Sequence, residues 1–189
     1  GPFAKAKKDI LIVPGNHDGA LKKFVSPDIE FHETAGFRID NVYFNHGHSW
    51  PNKDILNSDY LVIGHLHPFI EFKDKIGFRF IEQAWIRLNI DKRRLLRHYK
   101  SPETDRKVKM LKIIIIPAFN KFVGGRPFDP KGESNAPMIR LAGARSAEAY
   151  MLDGTDIGKL ATKEASFAIR QNCCSLPDGK LATRRFQRK

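Results

Sequence analysis

The sequence predicts an α/β fold, and three observations carry that expectation. Short β-branched runs such as Tyr60–Ile63 and Ile113–Ile116 are bounded by Pro, Gly or polar turn residues, as buried strands are. The first such run leads through a polar loop into a helical segment. Three of the runs end in loops that carry histidine, and strand ends are where α/β proteins place their chemistry.

The elements follow in order. Asp9-Ile10-Leu11-Ile12-Val13 reads as a buried strand stopped by Pro14-Gly15, with Asn16-His17-Asp18-Gly19 next and a short helix over Ala20–Phe24. Phe37–Phe44, interrupted by the turn-forming Asp40-Asn41, reads as a hairpin that runs into Asn45-His46-Gly47-His48-Ser49-Trp50-Pro51. Tyr60–Ile63 leads directly into Gly64-His65-Leu66-His67-Pro68. Phe69–Phe72 and Gly77–Ile81 flank Lys73–Ile76 as a second hairpin, and Trp85–Ile90 and Lys112–Ile116 are further strands. Leu95–Lys109 reads as an exposed basic connection. Pro117–Pro137, punctuated by Gly124-Gly125, Pro127, Pro130 and Gly132, reads as a long loop. Leu160–Arg170 suits a terminal helix, and Lys180, Arg184, Arg185, Arg188 and Lys189 mark a basic tail.

Composition narrows the class. The chain has 189 residues, of which 41% are hydrophobic and 29% charged, the balance of one globular domain. No apolar stretch approaches the roughly 20 residues needed to cross a bilayer as a helix, which excludes a membrane partner of that kind. Ile10–Val13 is too brief for a signal-peptide core. The two cysteines, Cys173 and Cys174, are adjacent and support no disulfide framework, so a reducing, cytoplasmic setting is expected. They read as two small apolar residues rather than a redox site. A net charge of +12 suits a polyanionic partner, and equally a solvated basic surface.

Histidine is the sharper signal. Five of the seven histidines follow strand-like runs, namely His17, His46, His48, His65 and His67; His32 and His98 do not. Neutral imidazole is a common ligand for divalent Zn, Mn and Fe, and an Asn carbonyl adds a harder oxygen donor. The spacing differs from that of a structural zinc finger and better suits an open, catalytic metal site.

At Gly15-Asn16-His17-Asp18, His46-Gly47-His48 and Gly64-His65-Leu66-His67, in that order, the chain resembles the calcineurin-like metallophosphoesterase superfamily. It looks closest to archaeal phosphoesterases related to the SbcD and Mre11 nuclease subunits. Supporting segments are His48-Ser49-Trp50-Pro51, Pro117-Ala118-Phe119-Asn120 with Gly124-Gly125, and Leu152-Asp153-Gly154-Thr155-Asp156. The resemblance implies a metallophosphoesterase-type β-sandwich flanked by helices, spanning residues 1–163, with 164–189 as a basic tail. It implies divalent metal ions, manganese for preference, two in a complete family site. Asn16, His46 and His65 would bind one ion and His67 the other. His17 would be the catalytic imidazole, with Asp18 and His48 as supporting or substrate contacts. Phosphodiesters, and nucleic acid among them, would be the substrates, and a homodimer is one assembly the family uses.

Two motifs that the family places upstream, Asp-x-His and Gly-Asp-x-x-Asp, are missing from the fourteen residues before Gly15. The expectation is a domain incomplete at its N-terminus, ahead of a divergent one-metal protein or a site completed by a second polypeptide. Weak metal binding and slow turnover follow from the lost carboxylates. The alternative function is a non-catalytic nucleic-acid-binding module on a degenerate phosphoesterase fold. Its basic clusters, Lys92-Arg93-Arg94 to Arg97 and Arg184–Lys189, read more readily as solvated charge.

Overall fold

A computed structural model describes residues 10–102, 110–120, 122–130, 134–143 and 147–160. The coarse α/β class is correct, and the chain is rich in sheet. In order the strands are β1 Leu11–Ile12, β2 Glu30–Phe31, β3 Phe37–Ile39, β4 Val42–Asn45, β5 Tyr60–Ile63, β6 Phe69–Lys73, β7 Arg79–Asp91, β8 Met110–Ile115, β9 Ala147–Met151 and β10 Asp156–Leu160. Helix α1 spans Lys92–His98 and α2 Pro137–Ala142. None of the described helices is long and apolar enough to cross a membrane.

One large mixed sheet runs β10-β9-β7-β8-β5-β4-β3, with β6 paired to the first half of β7. Its centre is parallel: β4 pairs β5 with Asn45 opposite Ile63, and β5 pairs β8 with Ile63 opposite Ile115. A strand with neighbours on both edges and a covered face must be apolar. Tyr60-Leu61-Val62-Ile63 and the isoleucine run of β8 satisfy that demand. Leu61, Ile63, Ile113 and Ile115 are fully buried, and Ile86, Leu88 and Ile90 of β7 alternate with exposed Trp85, Arg87 and Asn89. Leu95 of α1 and Met138 and Ile139 of α2 join the same core.

Several elements differ from the sequence expectation. β1 is not a buried central strand: Leu11 is exposed, and the strand makes only a two-rung parallel pair with β2, apart from the large sheet. Gly77–Ile81 and Trp85–Ile90 belong to one 13-residue strand, because Glu82 and Gln83 keep pairing with β6 across the polar gap. The start of the presumed basic connection is helix α1, capped by the Asp91 carboxylate, which accepts from Arg93 N. Pro137, expected to close a loop, occupies the first turn of α2, where a missing N–H costs nothing. Leu160 ends a strand, and the rest of the expected terminal helix, the basic tail and the 163/164 boundary lie outside the described residues.

The basic run of α1 is spent on the fold. Lys92 Nζ lies 3.6 Å from Asp59, and Arg93 pairs with Asp91. Arg94 donates to the Leu141 and Ala142 carbonyls at the end of α2, satisfying acceptors that a helix C-terminus leaves open.

Leu95 tests this packing. Leu95→Ala removes a side chain with no solvent exposure and should lower unfolding free energy by about 3 kcal/mol. Replacing the exposed Arg97 with Ala should change it by less than about 0.5 kcal/mol. Urea denaturation of both variants measures the difference, and equal effects would contradict the assignment of α1 to the core.

Candidate metal centre

The parallel centre of the sheet delivers its loops to one edge. Gly64 N donates to His46 O at 3.0 Å, so the β4–β5 ladder continues into the loop that carries His46, Gly47 and His48. Asn45, buried at the end of β4, organises that loop. Its Oδ1 accepts from Gly47 N at 2.6 Å, while Nδ2 donates to the carbonyls of Thr34 and Ala35. Gly47 has φ +115°, and a Cβ there would stand 3.1 Å from the Cβ of His65. Only glycine permits both the conformation and the approach.

The third loop is turned by its histidines. His65 and His67 have φ of 58° and 42°, the left-handed region that side-chain-bearing residues rarely enter. The chain therefore bends at both histidines instead of continuing β5 as an extended strand. Such conformations persist where surrounding structure enforces them, commonly at functional sites.

Three rings meet. The His46 ring centroid lies 5.2 Å from that of His48 and 5.2 Å from that of His65, and His48 and His65 are 5.9 Å apart. Asn16 reaches them from the loop after β1, its Oδ1 3.2 Å from His46 Nε2. His67 stands to the side with Nδ1 3.3 Å from the Gly124 carbonyl, and a proton on Nδ1 makes that a donated hydrogen bond. His17 is exposed, close enough to His65 for their charges to repel. Asp18 is turned back, its Oδ2 accepting from Gly15 N at 2.7 Å.

The electrostatics favour neutral rings. His46 is lowered to about 4, chiefly by burial, then by repulsion from His65 and His48, against a smaller pull from Asp18. His65 is lowered too, again by burial first and then by the neighbouring imidazoles. Unprotonated imidazole is the form that binds metal.

Whether these residues suit the ions implied by the resemblance is decided by their donors. Among the described residues, no group of three His, Cys, Asp or Glu side chains forms a ready cage for an ion. In kind, the donors suit one divalent cation. Asn16 Oδ1 and His46 Nε2 stand 3.2 Å apart, within the separation of about 3.0–3.4 Å that two ligands roughly 2.1 Å from a common ion would have. His67 has its Nδ1 against a backbone carbonyl, the usual outer partner of a ligating histidine, which leaves Nε2 available. His48 Nδ1 is buried without a hydrogen-bond partner. A second ion finds less: the carboxylate that influences His46 is Asp18, already engaged by Gly15.

Sequence reasoning named the histidine loops but not the parts that hold them. Asn45, the residue before His46, signalled its role only as a polar residue closing an apolar strand. His48, assigned a supporting place by resemblance, lies as near to His46 as His65 does. The Gly124 carbonyl comes from 57 residues away and has no local signature. A separate hollow of about 320 Å³ opens over Trp85, Arg87, Ile114, Tyr150 and Leu152, and none of the histidines lines it. No family model, curated protein or solved structure matches this chain, so its own geometry carries the functional reading.

The ring electrostatics have a measurable consequence. In metal-free protein the His46 ring should titrate near pH 4, against an ordinary 6.5. Because the fold resists the proton that the unfolded chain accepts, stability should fall as pH drops from 6.5 toward 4. Histidine ring NMR, with melting temperature followed over the same range, checks both. A His46 resonance titrating at its ordinary value would contradict the burial.

Proposed function

We propose that the chain is a metal-dependent phosphoesterase acting on phosphodiesters, with its site at the histidine loops. The observation that carries this reading is convergence: three separate strand-end loops bring Asn16, His46, His48 and His65 together, with His46 Nε2 3.2 Å from Asn16 Oδ1. On this reading the large sheet belongs to a metallophosphoesterase-type β-sandwich.

Asn16, His46 and His65 would hold one divalent ion, manganese for preference, and His67 would face a second. Such an ion, when bound, supplies Lewis acidity toward phosphoryl oxygens and lowers the pKa of water. The remaining work falls to the chain itself. Burial keeps His46 and His65 unprotonated, so their ring nitrogens keep lone pairs at neutral pH. Asp18 pins the Asn16-His17 turn through Gly15 N. His17, exposed beside His65, can donate an N–H to a phosphoryl oxygen or give its proton to the leaving oxygen. His48 presents its unpartnered Nδ1 within the same cluster. With Asp18 alone among the described carboxylates acting on His46, cation charge is offset weakly, and turnover is expected to be slow.

The scarcity of carboxylates favours a second reading, a nucleic-acid-binding module without catalysis. The α1 basic run gives it little support, since Lys92, Arg93 and Arg94 are engaged within the fold.

The deciding measurement is hydrolysis of bis(p-nitrophenyl) phosphate with and without manganese. Slow manganese-stimulated hydrolysis, abolished by chelator, is expected. His17→Ala should reduce it by about 100-fold or more, and His46→Ala should abolish the manganese dependence. Absence of metal stimulation, or wild-type rates in both variants, would defeat the enzymatic reading.

A further inference from the structure

We propose that the β6–β7 hairpin is a membrane-docking arm, whose apolar tip enters the interface of an anionic lipid bilayer while Lys73 and Lys75 hold the headgroups. The arm rests on the surface and does not cross it. It uses none of the histidines, so it stands or falls apart from the phosphoesterase reading.

The hairpin reaches beyond the sheet that carries it. β7 pairs with β9 from Ala84 onward and with β8 from Ile86 onward, whereas its first residues, Arg79 to Gln83, pair with β6. The base of β6 is tied down, since Phe69 N donates to Arg126 O at 3.3 Å and Phe128 N donates to Phe69 O at 2.9 Å. Phe72 is buried and stacks on Phe80 with ring centroids 5.1 Å apart, which joins the inner part of the arm to the core. The turn at the far end is fixed from within. Asp74 Oδ1 accepts from Ile76 N at 2.9 Å and from Phe78 N at 2.8 Å, and Asp74 N donates to Phe78 O at 2.9 Å. Gly77, with φ +93°, supplies the left-handed position that closes it.

A turn closed in this way needs no apolar side chains, yet Ile76 is 91% and Phe78 64% exposed, with Phe80 and Ile81 also exposed behind them. Single exposed apolar residues are ordinary, but a group of them on one anchored hairpin marks a contact surface. Charge selects what it contacts. Lys73 and Lys75 are exposed beside the tip and have no ion-pair partner among the described residues. The Asp74 carboxylate between them is turned onto the backbone, and Arg79 is paired with Glu71 at 2.7 Å. Apolar side chains flanked by free lysines match the bilayer interface. The isoleucine and the phenylalanine ring sink below the headgroups, the lysine stems lie along them, and the ammonium groups stay with anionic phosphates. A hairpin end is also convex, so a protein partner would have to supply a pocket for it, whereas lipid opens around it.

The test is co-sedimentation with vesicles of phosphatidylcholine alone and of phosphatidylcholine mixed equally with phosphatidylserine. Wild-type protein should bind the mixed vesicles about ten-fold more tightly than the neutral ones. Ile76→Ser/Phe78→Ser should weaken binding to the mixed vesicles about ten-fold with unchanged melting temperature, and Ile76→Leu/Phe78→Leu should keep it. Lys73→Gln/Lys75→Gln should weaken it by a similar factor, about ten-fold. Phe78→Trp adds a reporter: on mixed vesicles its emission should shift to the blue and be quenched by brominated lipid, beyond any change in the wild-type signal of Trp50 and Trp85. Failure of wild-type protein to bind, or an unshifted emission in the Phe78→Trp variant, overturns the arm. Undiminished binding by the serine variant overturns it as well, and would assign adsorption to the overall +12 charge. So does a dimer by light scattering that the serine variant converts to monomer, which would assign the tip to a second copy of the chain.

Discussion

The candidate site depends on the register of three parallel strands. Asn45, Ile63 and Ile115 lie side by side across β4, β5 and β8, and parallel strands point their carboxyl ends the same way. Everything leaving those ends must therefore appear along one edge: the His46 loop, the His65 loop and the segment beginning at Ile116. Antiparallel pairing would have sent neighbouring loops to opposite edges. Burial enforces the register. Leu61, Ile63, Ile113 and Ile115 are fully enclosed, and a slip of one residue would turn each of them to the other face.

Side chains then convert a shared edge into a shared site. Asn45 is the main fastener, because its buried amide uses both ends: the oxygen takes Gly47 N and the nitrogen takes two carbonyls from the segment before β3. An amide at that depth is costly unless bonded, and the bonding it finds also sets the path of the His46-Gly47-His48 turn. Gly47 allows β4 and β5 to keep their spacing past the last ladder bond, where any side chain would meet His65. The left-handed backbone of His65 and His67 completes the arrangement, returning the chain toward Pro68 and β6 instead of extending the strand.

Much of this was legible in the amino-acid order, because it rests on local rules. β-Branched runs ended by Gly or Asn mark strands, Asp40-Asn41 marks the β3–β4 turn, and histidines directly after strands mark an edge. What stayed hidden depends on partners distant in sequence. The run Lys92-Arg93-Arg94 looks solvent-facing, yet Asp59 and the α2 carbonyls consume its charge and Leu95 beneath it is buried. Asp9–Val13 has the composition of a central strand, but centrality requires two neighbours, and β1 pairs β2 alone among the described strands. Glu82-Gln83 looks like a break in β7 and is instead where the strand passes from pairing with β6 to pairing with β9.

Charge is distributed in a way that bears on what the site attracts. The chain carries +12 overall, whereas the cluster itself holds imidazoles that burial and mutual repulsion keep uncharged. Protonating one ring makes protonation of the next harder. The result is a nitrogen-rich patch in which the His46 and His65 rings are held uncharged. A cation approaching alone gains lone pairs, and among the described residues Asp18 is the carboxylate whose charge reaches His46. An anion approaching alone meets N–H donors on neutral rings, which offset little of its charge. A phosphate arriving with a divalent cation satisfies both demands, since each supplies the charge that the other lacks. On the phosphoesterase reading proposed above, a neutral histidine cluster is thus better matched to a metal–phosphate pair than to either ion by itself.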